Sequence, residues 1–130
     1  MNLDFKNRLE DVIQQKVDNQ DNSPLEIKKL TDFSWDKLYI FTPYTPTKVI
    51  NETLGFESKI IKDIEMDSQE EINLLVFVKD NKLTTLVEFP RRSGDFDKIS
   101  NPNGFTQENA KFNVTIEDRG EPWITLVEAN

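Results

Sequence analysis

The sequence contains neither cysteine nor histidine, and each absence removes a class of chemistry. Without cysteine there is no disulfide framework and no thiolate ligand for a metal. Without histidine there is no imidazole general base, no Ser-His-Asp or Cys-His catalytic arrangement and no ordinary zinc site. The four glycines form no phosphate-binding loop. Carboxylate, lysine, tyrosine and hydroxyl groups remain for any catalytic role.

Long apolar runs are missing as well. None approaches the roughly 20 residues that a transmembrane helix needs. The first residues, MNLDFKNRLEDV, carry charges throughout and lack the apolar centre of a signal peptide. We therefore expect a cytoplasmic protein without a membrane partner. The length of 130 residues predicts one domain over residues 1–130, with a hydrophobic core of its own.

Acidic residues are in clear excess, 24 against 16 basic residues, which gives a net charge of −8. Such a domain repels nucleic-acid phosphates, so we expect no nucleic-acid partner. The same charge attracts a basic protein surface and speeds encounter with it. A basic protein is therefore the partner class that the composition favours.

The stretch from Phe33 to Gly55, FSWDKLYIFTPYTPTKVINETLG, is the densest in aromatic residues. In its first part, apolar side chains would fall on both faces of an extended chain. This pattern predicts a central strand with a scaffold role. Thr45 and Pro46 predict a helix N-cap and first helical position. Gly55 is suited to end that helix in the left-handed conformation.

Local patterns predict the other elements. Helical spacing of apolar residues indicates an amphipathic helix over residues 3–17. Residues 23–30 fit either a short helical turn opened by a capping box or an edge strand. Isoleucine enrichment predicts a strand over residues 56–66. Hairpins are predicted for 73–89 and 112–128, with a long loop at 90–110 between them.

This order of elements predicts an α+β fold. We expect a single domain built on an antiparallel sheet of about five strands. The N-terminal helix and a short second helix are expected to pack on one face of that sheet.

Three acidic clusters are the candidate binding residues. The run at 63–71 has no central glycine and carries apolar residues between its acids, so it does not match a calcium loop. No spacing singles out an acid/base pair, and no metal or cofactor is expected. Trp123, beside a predicted turn, is the candidate aromatic anchor. The carboxylates expected to contact a partner are Asp63, Glu65, Asp67, Glu70, Glu71, Asp95, Asp97, Glu117, Asp118 and Glu121.

The segment WDKLYIFTPYTP at 35–46 resembles a stretch in small uncharacterised bacterial proteins, which are lipoprotein-like or toxin-immunity-like. VFVKDNK at 76–82 and GFTQENAKFNV at 104–114 are similar in kind. The resemblance implies a bacterial, non-enzymatic protein of one small domain. It carries no catalytic motif, and the sequence lacks a lipobox cysteine.

Three hypotheses follow. The first is an immunity protein, monomeric before complex formation, that neutralises a basic toxin domain such as a nuclease through its acidic loops. The alternative is the soluble domain of a small cell-envelope lipoprotein. The third is an enzyme that uses two carboxylates.

Overall fold

The computed structural model describes residues 2–129 and confirms the α+β fold class. Over these residues the α-helices are α1 (Leu3–Asp18), α2 (Thr47–Leu54) and α3 (Lys59–Ile64). The strands are β1 (Leu25–Glu26), β2 (Lys37–Phe41), β3 (Ile72–Lys79), β4 (Lys82–Pro90), β5 (Lys111–Asp118) and β6 (Pro122–Glu128). Short 3₁₀ turns lie at Ile27–Leu30, Met66–Ser68 and Arg91–Ser93.

Six strands form two antiparallel sheets instead of one sheet of about five strands. One sheet has the order β2-β3-β4 and the other has the order β1-β5-β6. Both predicted hairpins are confirmed as β3-β4 and β5-β6. Asp80 and Asn81 connect β3 to β4 with φ angles of 51° and 61°, the positive values that a tight hairpin turn requires.

The β2-β3-β4 sheet is buried on both faces, which explains the unbroken apolar run of β3. Leu75 and Phe77 face a core shared with α1 and the second sheet. Leu74, Val76 and Val78 face the opposite way, toward α2 and α3. The prediction that the helices share one face is therefore wrong. Alternation along a strand sends its apolar residues to both sides, so each side needs its own cover.

Strand β2 is an edge strand, contrary to the prediction of a central position. Its outer side is covered locally by the long loop. The backbone N–H of Leu38 donates to the carbonyl of Phe105 at 2.8 Å, and the reverse bond is 2.7 Å. Trp35, just before the strand, is buried, with 2 % of its surface exposed. Strand β2 is therefore buried on both faces although only one of its edges pairs with another strand.

Residues 59–64 form α3 where the isoleucine content predicted a strand. The Ser58 hydroxyl accepts a hydrogen bond from the Ile61 N–H at 3.4 Å and caps the helix. Lys59 pairs with Asp63 at 2.9 Å, one helical turn away. Ile61 is buried while Ile60 is exposed. Local helix signals therefore outweighed the β propensity of the isoleucines.

Two smaller predictions have mixed outcomes. Helix α2 begins at Thr47 with Pro46 as its N-cap, so the Thr45 cap is wrong. The Thr45 hydroxyl instead donates to the carbonyl of Thr42 at 2.7 Å. Gly55 ends α2 with φ 82°, as predicted. Residues 23–30 contain a short form of each element considered, strand β1 followed by the Ile27–Leu30 turn. The turn begins after Glu26 without a side-chain cap, so the predicted capping box is wrong.

Candidate functional site

Asp95 is the centre of a polar network between the two sheets. It follows the Arg91–Ser93 turn and is completely buried. Its backbone pairs with β6, since its N–H donates to the carbonyl of Ile124 and its own carbonyl accepts from Leu126, both at 2.9 Å. These bonds place the carboxylate between β3 and β6, where a charge is stable only if it is well paired.

Five donors satisfy the Asp95 carboxylate. Oδ1 accepts from Asn73 Nδ2 at 2.9 Å and from the Asp97 N–H at 3.0 Å. Oδ2 accepts from Arg91 Nε at 2.8 Å, Trp123 Nε1 at 2.9 Å and Arg119 Nη1 at 3.4 Å. Asp95 was predicted to contact a partner, but its burial leaves no surface for direct contact. Asp95 instead holds the side chains that bond to it in position.

Arg119 connects this buried group to the acidic surface. Its guanidinium lies 3.2 Å from both oxygens of Asp97 and 3.1 Å from Glu117 Oε2. Hydrogen bonds to Asp97 raise the pKa of Arg119 against the opposing effect of burial, and Glu117 adds to the rise. A hydrogen bond from Lys98 holds the pKa of Glu117 below its ordinary value. Asp97 and Glu117 are therefore ion-paired parts of the scaffold, and each side chain remains partly exposed to solvent.

Asp95 and Asp97 share their arginine partners, which bears on the hypothesis of an enzyme that uses two carboxylates. Arg91 contacts both of them, at 2.8 Å and 3.5 Å, and Arg119 also contacts both. A general acid and base need a reacting group between them that exchanges protons with each. Here arginines occupy that position, which is the arrangement of a structural ion-pair network.

Trp123 is half-buried, so part of its ring is open to solvent. The hydrogen bond from its indole to Asp95 fixes the ring. Arg119 Cζ lies 5.9 Å from the ring centroid, within the range of a cation–π contact. The ring lines an open cleft of about 330 Å³, here called the Trp123 cleft. The residues that line it are Glu70, Glu71, Pro90, Arg91, Arg92, Glu121 and Trp123.

The structure brings together parts of two of the three predicted acidic clusters. Glu70, Glu71 and Glu121 are exposed and line the Trp123 cleft. Within residues 2–129 none of these three carboxylates lies in an ion pair. Asp118 is exposed and lies with Glu117 and Glu121 around a neighbouring surface depression. The β5-β6 turn and the residues before β3 therefore contribute to one acidic surface.

The remaining predicted residues lie elsewhere. Asp63 is on α3 and pairs with Lys59, Glu65 is the residue after α3, and Asp67 is on the following 3₁₀ turn. All three are exposed, and none lines the Trp123 cleft. The acidic run at 63–71 is thus divided between two places, because α3 and its turn end before Glu70.

Sequence reasoning did not identify Arg119 and Asn73 as members of the site. Arg91 and Arg92 are adjacent in the chain, and Arg91 forms salt bridges while Arg92 is exposed and lines the cleft. The sequence does contain one local signal for the network, because Arg91 lies four residues before Asp95, a spacing at which the two side chains can pair. Within residues 2–129, no three acidic side chains converge closely enough to hold a metal ion. Over the same residues, no helix has the length and apolar character to span a membrane.

Comparison of the chain with protein-family models, curated proteins and solved structures finds no match. The resemblance of residues 35–46 to small bacterial proteins stays a prediction. The functional argument therefore depends on the geometry of the Trp123 cleft and its surroundings.

Proposed function

We propose that this chain is a non-enzymatic immunity protein that binds and neutralises a basic toxin domain, with a nuclease as the expected target. One observation carries the proposal. Trp123 is fixed in an open cleft lined by Glu70, Glu71 and Glu121, which form no ion pair within residues 2–129 and outnumber the two arginines of the lining. An aromatic anchor inside an acidic rim is suited to a cationic protein surface.

The anchor is preorganised for binding. The bond from Trp123 to Asp95, and the four other donors on that carboxylate, restrict the ring before any partner arrives. An ordered side chain loses little rotamer entropy on association, and the cost for a mobile one is about 0.5–1.5 kcal/mol. Tryptophan is also among the residue types that dominate binding energy at protein interfaces. The buried network thus prepares the surface that the partner would contact.

The acidic rim supplies attraction and orientation. Because Glu70, Glu71 and Glu121 have no cation partner within residues 2–129, their charge adds to a field already set by a net charge of −8. A nuclease binds substrate phosphates in a cationic cleft, and carboxylates can occupy that cleft in their place. Charge complementarity of this kind raises association rates from about 10⁵–10⁶ toward 10⁸–10⁹ M⁻¹s⁻¹ at low salt.

The proposal is tested with two triple variants of equal charge. Glu70→Gln, Glu71→Gln and Glu121→Gln remove three charges at the cleft, whereas Asp63→Asn, Glu65→Gln and Asp67→Asn remove three charges outside it. The partner to be tested is the product of the neighbouring gene, purified as the candidate toxin domain. Stopped-flow association and protection of the toxin's substrate are measured from about 0.05 to 0.5 M salt.

We expect the cleft variant to associate at least about tenfold more slowly at low salt and to protect poorly, since steering depends on charge near the contact. The matched variant should change the rate much less. Equal effects would show that only net charge matters. Association that does not respond to salt, or a toxin that stays active at saturating protein, would refute the proposed function.

A further inference from the structure

We infer that the Trp123 cleft binds an arginine side chain of the partner, with the guanidinium over the indole and hydrogen-bonded to the glutamates of the rim. The inference rests on the proposed function for the identity of the partner. It goes further in naming the chemical group that enters the cleft and the residues that receive it.

The size of the cleft suits a single side chain. Its volume of about 330 Å³ is at the lower end of the roughly 300–1,000 Å³ range for small-molecule pockets. Pro90 and the Trp123 ring supply apolar contact, while Glu70, Glu71 and Glu121 supply acceptors. A long side chain with an apolar stem and a cationic planar head matches both kinds of surface.

The protein already uses the same chemistry internally. Arg119 lies 5.9 Å from the Trp123 centroid while its nitrogens bond to Asp97 and Glu117. The ring is thus compatible with a guanidinium that also pairs with carboxylates. Arginine fits this role better than lysine because its head is flat, weakly hydrated and able to donate in pairs.

Arg92 provides a means to distinguish this ligand from an anionic one. It is exposed, lines the cleft and has no ion pair among residues 2–129. A guanidinium entering the cleft would be repelled by Arg92, whereas a carboxylate would be attracted by it. Arg92→Gln should therefore tighten binding of an arginine probe and weaken binding of an acidic probe.

The test uses blocked tripeptides Ac-Gly-X-Gly-NH₂ with arginine, lysine, citrulline or glutamate at X. Citrulline retains the shape of arginine without its charge. Binding is followed by NMR through the indole N–H signals. Trp123 reports on the cleft, and buried Trp35, whose indole bonds to the Thr31 hydroxyl at 3.1 Å, is the internal reference.

We expect the arginine peptide to shift the Trp123 signal and leave Trp35 unchanged, with weaker binding of lysine and none of citrulline. The dissociation constant of the arginine peptide should rise at least about fivefold in the Glu70→Gln, Glu71→Gln and Glu121→Gln variant. A fivefold change corresponds to the free energy of one partly exposed ion pair. Equal binding of citrulline would overturn the inference. So would a glutamate peptide that binds more tightly than arginine and is lost in Arg92→Gln.

The two proposals fail in different ways. If the arginine peptide does not bind but the chain still neutralises the toxin, the inference about the cleft is wrong and the proposed function stands. If the peptide binds as expected but the toxin stays active, the cleft is a guanidinium site and the immunity function is wrong.

Discussion

Replacing Asp95 by asparagine is the most direct perturbation of the network beneath the site. The side chain keeps its shape but loses its charge and half of its acceptors. Two donors address Oδ1 and three address Oδ2. The asparagine amide nitrogen replaces one of the two oxygens, and it faces hydrogen-bond donors whichever oxygen it replaces. At least two of the five donors therefore lose their acceptor.

The expected cost follows from burial. Asp95 is fully buried, and each buried donor without a partner costs about 1–3 kcal/mol. Arg91 and Arg119 keep 23 % and 28 % exposure, so water can solvate them in part, which lowers the sum. We therefore expect Asp95→Asn to lose about 3–5 kcal/mol, as for other broken buried ion pairs. Domains are typically stable by about 5–15 kcal/mol, so the variant should fold with a large loss of stability.

The assay is urea denaturation followed by circular dichroism. At a slope near 2 kcal/mol/M, the midpoint should fall by about 2 M with the slope unchanged. Asp97→Asn is the matched control, because Asp97 has similar arginine partners but 27 % exposure, and such pairs contribute about 0–1 kcal/mol. Equal losses in the two variants would refute the reasoning that burial makes Asp95 special.

Two further predictions concern the contacts around the Arg91–Ser93 turn. Gly94→Ala should cost about 1–3 kcal/mol in the same denaturation assay, because a Cβ would lie 2.8 Å from Leu126 and 2.9 Å from Ile13, both fully buried. Burial raises the pKa of Glu10, but hydrogen bonds from Ser93 at 2.6 Å and from Lys6 outweigh it, so the pKa is lowered below its ordinary value of 4.5. A lowered carboxyl pKa stabilises the fold above pH 4.5 and loses that effect as pH falls through the folded-state value. Glu10→Gln should therefore be less stable than the parent at pH 7 by about 0.5–1.5 kcal/mol, and thermal unfolding scans should show the difference shrinking as the pH falls below 4.5. A difference that stays constant as the pH falls below 4.5 would contradict this assignment.

Elements with local signals could be predicted from the sequence. The β3-β4 hairpin is specified by the Asp80–Asn81 turn between apolar runs, and the α1 helix by its apolar spacing. Helix α3 differs from the predicted strand because the Ser58 cap and the pairing of Lys59 with Asp63 outweigh the β propensity of its isoleucines. Those helix signals were present in the sequence and decide such a short segment.

The sequence predicts the residue types of the site but not their arrangement in space. Acidic loops and Trp123 are visible in the sequence, but the role of Asp95 depends on partners far along the chain. Asn73 is 22 residues before it and Trp123 is 28 residues after it. Only the packing of β3 against the loop and β6 brings these side chains together. Whether an acid is a surface contact or a buried support is therefore a tertiary property, which composition and spacing do not encode.

The hydrogen-bonded contact between Leu38 and Phe105 also bears on association between copies of the chain. An exposed edge strand presents unpaired backbone groups that can recruit a second edge and begin aggregation. By bonding to Leu38 on its open side, the loop blocks that pairing on a strand that is apolar on both faces. Shortening the chain around Phe105, within residues 98–110, would therefore promote strand pairing between chains, although every residue of the Trp123 cleft would stay in place.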